Sequence, residues 1–179
     1  MDKVIERVLF TEEQIKSRVA ELGRQLSREY EGKDFVVMGV LRGGAVFCAD
    51  LIRAIDIPLE LSFIEASSYK DATTPQGDVW VSYSKDFTAA GKHILIAEDI
   101  IDTGHTLKAV KERLLKEGAL SVKTCCILNK PSRRQANITA DYVGFDIPDE
   151  FVVGYGLDYA SKYRNLPYIG ILSRKVYEK

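Results

Sequence analysis

The sequence predicts an α/β fold in which a mostly parallel central sheet is flanked by helices. Two largely apolar runs, residues 35–40 and 93–97, are each followed by a turn and a helical pattern, and a third run lies at 122–128. Such runs are typical of parallel strands covered on both faces. Because strand, loop and helix repeat twice, we expect βαβ units. With 179 residues and no linker rich in Pro, Gly or Ser, residues 1–179 are expected to form a single domain.

The local signals predict each element in turn. Thr11 to Gln14 has the form of a capping box, and apolar residues at helical spacing then predict an amphipathic helix that ends by Gly32. After it we expect a strand at 35–40, a helix to about Ile55, an antiparallel pair at 58–65 and 79–84, a strand at 93–97, a helix from near Thr106 to Gly118, and a buried strand at 122–128.

The last third of the sequence has a different character. Short strands are expected near residues 141–145, 151–155 and 168–172, separated by Pro148 and Pro167. This pattern predicts a small C-terminal subdomain instead of another βαβ unit. We therefore expect a core at about 30–130 and a subdomain formed mainly by 130–179 with the N-terminal segment.

The composition argues against several classes of protein. A net charge of −1 and a pI near 6.2 argue against nucleic-acid binding, and the basic run at 130–134, KPSRR, is interpreted as a solvated loop. A charged start without an apolar stretch predicts no signal peptide, no run approaches membrane-spanning length, and a cytoplasmic location is expected. The three cysteines are expected as buried free thiols. Two histidines are too few for a histidine-based metal site, so a bound metal should be Mg²⁺ held by oxygen.

Residues 94–107, ILIAEDIIDTGHTL, combine an apolar strand, an acidic end and a turn into a helix. Glu98 and Asp99 are expected at the carboxyl end of the strand, where open α/β sheets hold ligands. Residues 102–106 offer backbone N–H groups, two hydroxyls and a helix N-terminus, which together can hold a phosphate. Since carboxylates repel phosphate, a ribose diol and a divalent cation are expected between them. The predicted ligand is a phosphorylated ribose with a metal; for DTG alone, a plain turn with an N-cap is the alternative.

This segment resembles the signature of the type I phosphoribosyltransferases, and the string EDIIDTG resembles their hypoxanthine-guanine branch. The resemblance extends from the LRGG turn at 41–44 to the C-terminal subdomain, which in this family is the hood that holds the nucleobase. It implies binding of phosphoribosyl pyrophosphate, a 6-oxopurine and Mg²⁺, and transfer of phosphoribose to hypoxanthine and guanine in purine salvage. It also implies a homodimer or homotetramer, with no nucleic-acid or membrane partner.

The resemblance implies roles for single residues. Asp102 matches the family's catalytic proton acceptor, which faces purine N7; capping the next helix is a second, compatible role. Ser68 and Tyr69 match a pair on a loop that closes over the site. The other implied contacts are Glu98, Asp99, Asp102, Thr103, Gly104, His105 and Thr106 for the phosphoribose; Arg42, Gly43 and Arg164 for the pyrophosphate; Lys130, Phe151 and Val152 for the purine; and Glu98, Asp99 and Asp158 for Mg²⁺.

Several of these positions have simpler interpretations. The LRGG turn, which in the family often contains a cis non-proline peptide, could be a plain strand-to-helix turn, and Arg42 replaces a lysine common in relatives. Arg164 and Asp158 could form a surface salt bridge. Lys130 could be solvated and Phe151 could belong to the core.

Two alternative functions remain at this stage. One is an enzyme of the same type that favours xanthine or guanine, because Lys130 would contact only the 6-oxygen. The other is a regulatory module that senses phosphoribosyl pyrophosphate and controls transcription. Such a module could dispense with Asp102, Arg164 and the Ser68–Tyr69 loop, and we would expect a DNA-binding extension, for which the sequence gives no signal.

Overall fold

The structure, a computed structural model, describes residues 4–68 and 79–177. In chain order the elements are β1 (Ile5–Phe10), α1 (Glu12–Tyr30), β2 (Phe35–Leu41), α2 (Ala45–Ala54), β3 (Glu60–Ser68), β4 (Val79–Tyr83), β5 (His93–Ile101), α3 (His105–Lys116), β6 (Ser121–Asn129), β7 (Tyr142–Asp146), β8 (Val152–Val153), β9 (Ile169–Leu172) and α4 (Arg174–Tyr177). Six strands form a large sheet in the order β4-β3-β2-β5-β6-β7, and three form a small sheet in the order β1-β9-β8.

Alternating residues of β2 and β5 point to opposite faces of the large sheet, and helices cover both faces. Val37 and Leu95 belong to the apolar cluster that also contains residues of α1 and α2. Val36, Met38, Ile94 and Ile96 belong to the cluster under α3, with Leu107, Val110 and Leu114. The predicted parallel sheet between helices is confirmed, because β2, β3, β5, β6 and β7 are parallel and β3–β4 is the one antiparallel pair among the described strands of the large sheet.

The helix ends follow the predicted signals. Thr11 N donates to Gln14 Oε1 at 2.9 Å and Gln14 N donates to Thr11 Oγ1 at 3.3 Å, so the predicted capping box is present. Helix α3 ends before Gly118, whose φ of 93° is the left-handed conformation that favours glycine. All three cysteines are buried and free, as expected.

The order of the large sheet reverses at β2. The chain passes from β2 to β3 on one side and later places β5 on the other side. The pairing of β5 with β2 ends at Ala97, whereas its pairing with β6 continues to Ile101. The strand therefore extends beyond its predicted end at Ala97, and a crevice opens where β5 separates from β2. Ligands of open α/β sheets bind at such switch points.

The small sheet joins the N-terminal strand to strands near the C-terminus. β1 and β8 each pair antiparallel with β9, so the expected association of the N-terminal and C-terminal segments is present. Tyr155 Oη donates to Asp50 Oδ2 at 2.8 Å, and the rings of Phe10 and Phe145 stack at 4.0 Å. These contacts fix the small sheet against α2 and the last strand of the large sheet.

One predicted placement is wrong. Residues 141–145 were expected in the C-terminal subdomain, but β7 pairs parallel with β6 as the sixth strand of the large sheet. Cys125 is paired with Tyr142 and Leu128 with Phe145. The pairing partner of a short strand is set by long-range contacts, which a local pattern does not encode. Within residues 4–68 and 79–177, no helix combines the length and apolarity needed to cross a membrane.

Candidate active site

Two loops meet at the switch point, one after β2 and one after β5. The first contains Gly43 and Gly44. A Cβ added to Gly43 would lie 1.6 Å from Asp99 Oδ2, and one on Gly44 would lie 2.9 Å from the carbonyl oxygen of Ala97. Only glycine at these positions allows the two loops to approach this closely.

Glu98 and Asp99 are partly buried near the end of β5, and the carboxylate of each accepts a hydrogen bond from the backbone N–H of the next residue. Asp99 N donates to Glu98 Oε1 at 3.1 Å, and Ile100 N donates to Asp99 Oδ1 at 2.7 Å. Burial raises the pKa of Glu98 well above its usual value, and the nearby Asp99 carboxylate raises it further. Burial also raises the pKa of Asp99, while its hydrogen bonds and the charge of Arg164 oppose the rise. Burial is therefore the main cause of both shifts.

The loop after β5 leads directly into α3. Gly104 is the N-cap of that helix with φ 84°, and no side chain caps the helix within the described residues. Asp102 therefore does not have the alternative capping role. Thr103, Gly104 and Thr106 line a cavity of about 300 Å³ at the helix N-terminus. His105 is exposed and its Nε2 lies 3.2 Å from Gln135 Oε1.

A second cavity, of about 580 Å³, adjoins the first. The two share four lining residues, namely Asp99, Ile100, Asp102 and Asp158. Asp102 Oδ1 is buried and has no hydrogen-bond partner among the described residues. A buried carboxylate oxygen without a partner is costly, so it is suited to accept a hydrogen bond from a ligand in the shared wall.

The LRGG turn has the form implied by the resemblance. The peptide bond between Leu41 and Arg42 is cis. Leu41 and Gly43 line the smaller cavity, whereas the side chain of Arg42 is exposed and Arg42 lines neither cavity. The loop can thus present backbone groups to a ligand, and a contact from the Arg42 side chain stays a prediction.

Arg164 and Asp158 do form an ion pair, with Nη2 and Oδ1 2.7 Å apart. Arg164 Nη1 also donates to the carbonyl oxygen of Gly156 at 2.5 Å, and Asp158 Oδ2 accepts from Ser161 N at 2.8 Å. Both ion-pair partners line the smaller cavity. A Cβ on Gly156 would lie 2.2 Å from the carbonyl oxygen of Gly43, so this C-terminal loop lies directly against the LRGG turn.

The larger cavity contains the three residues predicted to hold a purine. Lys130 is buried, with 7% exposure, and its Nζ donates to the carbonyl oxygen of Glu150 at 2.9 Å. The interpretation of Lys130 as a solvated side chain is therefore wrong. Phe151 is 39% exposed and does not belong to the core; its ring lies 5.3 Å from that of Tyr177. Val152 is buried in β8.

Comparison with known proteins identifies the family. The phosphoribosyl transferase domain model matches residues 9–160. The chain is 51% identical over 179 residues to the hypoxanthine-guanine phosphoribosyltransferase of Lactococcus lactis, covering 100% of this chain and 97% of that one. It is 50% identical over 174 residues to the Bacillus subtilis enzyme of the same name, covering 97% of each. The chain belongs to the hypoxanthine-guanine phosphoribosyltransferases.

A solved structure agrees with this assignment. The crystal structure of a hypoxanthine phosphoribosyltransferase from Staphylococcus aureus matches with a TM-score of 0.95 and 46% identity, covering 100% of this chain and 97% of that chain. The predicted family and the predicted fold class are thus confirmed.

The magnesium site implied for a hypoxanthine-guanine phosphoribosyltransferase fits the residues present. The described residues contain no group of three or more His, Cys, Asp or Glu side chains able to hold a metal ion together. Mg²⁺ commonly binds one or two carboxylates, with substrate phosphates and water supplying the rest. Glu98 and Asp99 are such a pair, and both line the smaller cavity.

The closing role of the Ser68–Tyr69 pair stays a prediction, and one residue beside the site was not predicted from the sequence. Ser68 is the last residue of β3, and Tyr69 lies outside the described residues. Arg134 was missed as part of the predicted solvated loop, yet it donates to the carbonyl oxygens of Ile101 and Asp102. No local signal in the basic run distinguishes Arg134 from the solvated residues beside it.

Proposed function

We propose that the chain transfers 5-phosphoribose from phosphoribosyl pyrophosphate to hypoxanthine and guanine in purine salvage. In this reaction the bond between ribose C1 and a pyrophosphate oxygen breaks and a bond from C1 to a purine ring nitrogen forms. The purine gives up a proton, which Asp102 accepts. The observation that carries the proposal is the buried, unpartnered Asp102 Oδ1 in the wall between two cavities.

The smaller cavity is proposed to hold the phosphoribose. Its glycine N-cap and the first turn of α3 supply N–H groups and a positive helix end, which favour a phosphate. Thr103 and Thr106 add hydroxyl donors. Glu98 and Asp99 would accept hydrogen bonds from the ribose hydroxyls, and their negative charge would favour the cationic character that ribose develops in the transition state.

The leaving pyrophosphate is proposed to lie between the LRGG turn and the C-terminal loop that carries Arg164. Gly43 and Arg164 both line the smaller cavity. Mg²⁺, when bound by Glu98 and Asp99, would offset the negative charge of the leaving group; a second ion at Asp158 stays a prediction. Arg164 would add a guanidinium suited to phosphate oxygens.

The larger cavity is proposed to hold the purine, with Phe151 stacked on the ring and the main chain of Val152 at its edge. The buried ammonium of Lys130 would donate to the exocyclic 6-oxygen. A 6-amino group cannot accept in the same way, so an adenine would leave the ammonium N–H that faces the base without an acceptor. This explains a preference for 6-oxopurines.

The test is a spectrophotometric assay with phosphoribosyl pyrophosphate, Mg²⁺ and each of hypoxanthine, guanine and xanthine. We expect nucleoside monophosphate from hypoxanthine and guanine, and none when the cation is chelated. Failure to convert any of the three bases would contradict the proposal. Assembly as a homodimer or homotetramer and a cytoplasmic location stay predictions.

A further inference from the structure

The side chain of Arg134 is attached to the backbone of the acidic loop. Its Nε donates to the carbonyl oxygen of Asp102 at 3.0 Å, and its Nη2 donates to that of Ile101 at 3.1 Å. Nη1 donates to the carbonyl oxygen of Ile138 at 2.7 Å, and Nη2 also donates to Asn129 Oδ1 at 2.7 Å. One partly buried guanidinium thus connects the loop to β6 and to the segment that follows it.

The next backbone carbonyl of the loop, that of Thr103, is also hydrogen-bonded to the segment that contains Arg134. The carbonyl oxygen of Thr103 accepts from the backbone N–H groups of Gln135 and Ala136, each at 3.0 Å. Three consecutive carbonyl oxygens of the loop, at residues 101–103, therefore bond to the segment that contains Arg134. The orientation of these peptides is fixed at the point where Asp102 leaves the backbone.

The side chain of Arg134 is itself fixed by hydrogen bonds that run through Asn129 to Asp146. Asn129 Nδ2 donates to Asp146 Oδ1 at 2.6 Å, which leaves Asn129 Oδ1 facing Arg134 Nη2. This chain of bonds begins on β7, passes through β6 and ends at the acidic loop. Arg134 lines neither cavity, so it is not placed to contact the purine or the sugar phosphate.

We propose that Arg134 is the positioning residue of Asp102 and acts through the loop backbone. The inference rests on the proposed function, in which Asp102 accepts the purine proton. An arginine suits this task because its planar fork can bond several carbonyl oxygens in fixed directions. A lysine ammonium is a single point that cannot reach all of these acceptors, although it keeps the charge.

The first test replaces Arg134 with lysine and compares kcat with that of Arg18→Lys. Arg18 is the matched control because its Nε and Nη2 donate to the carbonyl oxygens of Gly144 and Val143, at 3.0 and 2.7 Å, away from both cavities. We expect a similar fall in Tm for both variants. Only Arg134→Lys should lower kcat, by about 10- to 100-fold, because small displacements of a reacting group have effects of this size.

The second test is a double-mutant cycle with Asp102→Asn. If Arg134 acts through the Asp102 carboxylate, Arg134→Lys should lower kcat by less than about 2-fold in the Asp102→Asn background, because the two effects are not additive. An equal factor in both backgrounds would overturn the proposal, as would an undiminished kcat for Arg134→Lys. A purely structural role moves Tm but not this coupling.

Should Arg134→Lys fail to fold, Asn129→Ala replaces it in both tests. That change removes one partner of Arg134 and leaves the guanidinium in place. We expect a smaller loss of kcat, of about 3-fold, that again disappears in the Asp102→Asn background; persistence of the loss there would overturn the proposal. A wild-type protein inactive with all three bases would contradict the proposed function itself, whereas active wild type with a fully active Arg134→Lys variant would contradict only the role of Arg134.

Discussion

The two cavities that meet at Asp102 are built from different parts of the protein. Part of the smaller one is backbone, where Gly43 and Gly104 allow close approach and the first turn of α3 supplies N–H groups. The larger one is enclosed by long side chains, among them Lys130 and Tyr177. We infer that the cavity for the common phosphoribose is fixed by main-chain geometry, whereas the cavity that selects the base depends on replaceable side chains.

The largest effect on turnover should come from a change at Asp102, which lines both cavities. We expect Asp102→Asn to lower kcat by about 10²- to 10⁴-fold, the usual contribution of a general base, because an amide cannot accept the purine proton. Binding of the sugar donor should stay within about 3-fold, since the variant keeps the size of the side chain. Steady-state kinetics and calorimetry measure the two quantities, and an unchanged kcat would remove Asp102 as the base.

The smaller cavity should not tolerate a single methyl group added at Gly43. In Gly43→Ala the new Cβ would lie 1.6 Å from Asp99 Oδ2, so the loop or the carboxylate must move. We expect kcat/KM for phosphoribosyl pyrophosphate to fall by about 100-fold.

The control for this change is Gly91→Ala. Gly91 has φ 78° and nothing within 4 Å of an added Cβ, so the substitution should cost about 1–2 kcal/mol of stability from the backbone alone. Its kcat/KM should equal that of the wild type. Equal kinetics for the two variants would show that close approach at Gly43 is not required.

A substitution in the larger cavity should reduce selectivity between bases more than it reduces binding of the sugar donor. We expect Lys130→Ala to reduce the preference for hypoxanthine over adenine by about 10- to 100-fold, the value of a hydrogen bond from a charged donor. The KM for phosphoribosyl pyrophosphate should change little. Lys116→Ala, an exposed lysine at the end of α3, is the control. Competition between the two bases measures the ratio, and an unchanged ratio would remove Lys130 from base recognition.

The smallest effect concerns stability and its dependence on pH. The pKa of Glu98 is raised in the folded state, so ionisation of this group destabilises the folded protein as the pH rises through that value. In metal-free buffer, Glu98→Gln should therefore raise Tm at pH 8, and the gain should shrink toward pH 4, where the wild-type carboxyl is protonated. Glu112→Gln on the exposed side of α3 is the control. A gain that does not vary with pH would contradict this account of the carboxylate pair.

The sequence was sufficient to predict the core of the fold because its strands are apolar and buried on both sides. Residues 35–40 and 122–128 lie within β2 and β6, as expected. The end of β5 was misjudged because Glu98 and Asp99 are polar, yet pairing with β6 continues past them. The sheet membership of β7 depends on contacts far along the chain, so the local pattern could not supply it.

The loops of the site were predictable where glycine and carboxylates appear in short motifs. The conformation of the C-terminal loop was not predictable. Positive φ values, which usually occur at glycine, occur there at four other residues, namely Tyr155, Ala160, Ser161 and Tyr163. The contact of Arg134 with the acidic loop was not predictable for another reason. A basic run resembles a solvated surface, and only the fold brings its guanidinium to three backbone carbonyl oxygens.

The most direct test of the account is a crystal structure with Mg²⁺ and the 5′-monophosphate of the hypoxanthine nucleoside. We predict the phosphate against residues 103–106, the base between Lys130 and Phe151, and an Asp102 carboxylate oxygen within hydrogen-bonding distance of purine N7. A nucleotide bound with its phosphate outside that loop, or with Asp102 turned away from the base, would contradict the assignment of the two cavities.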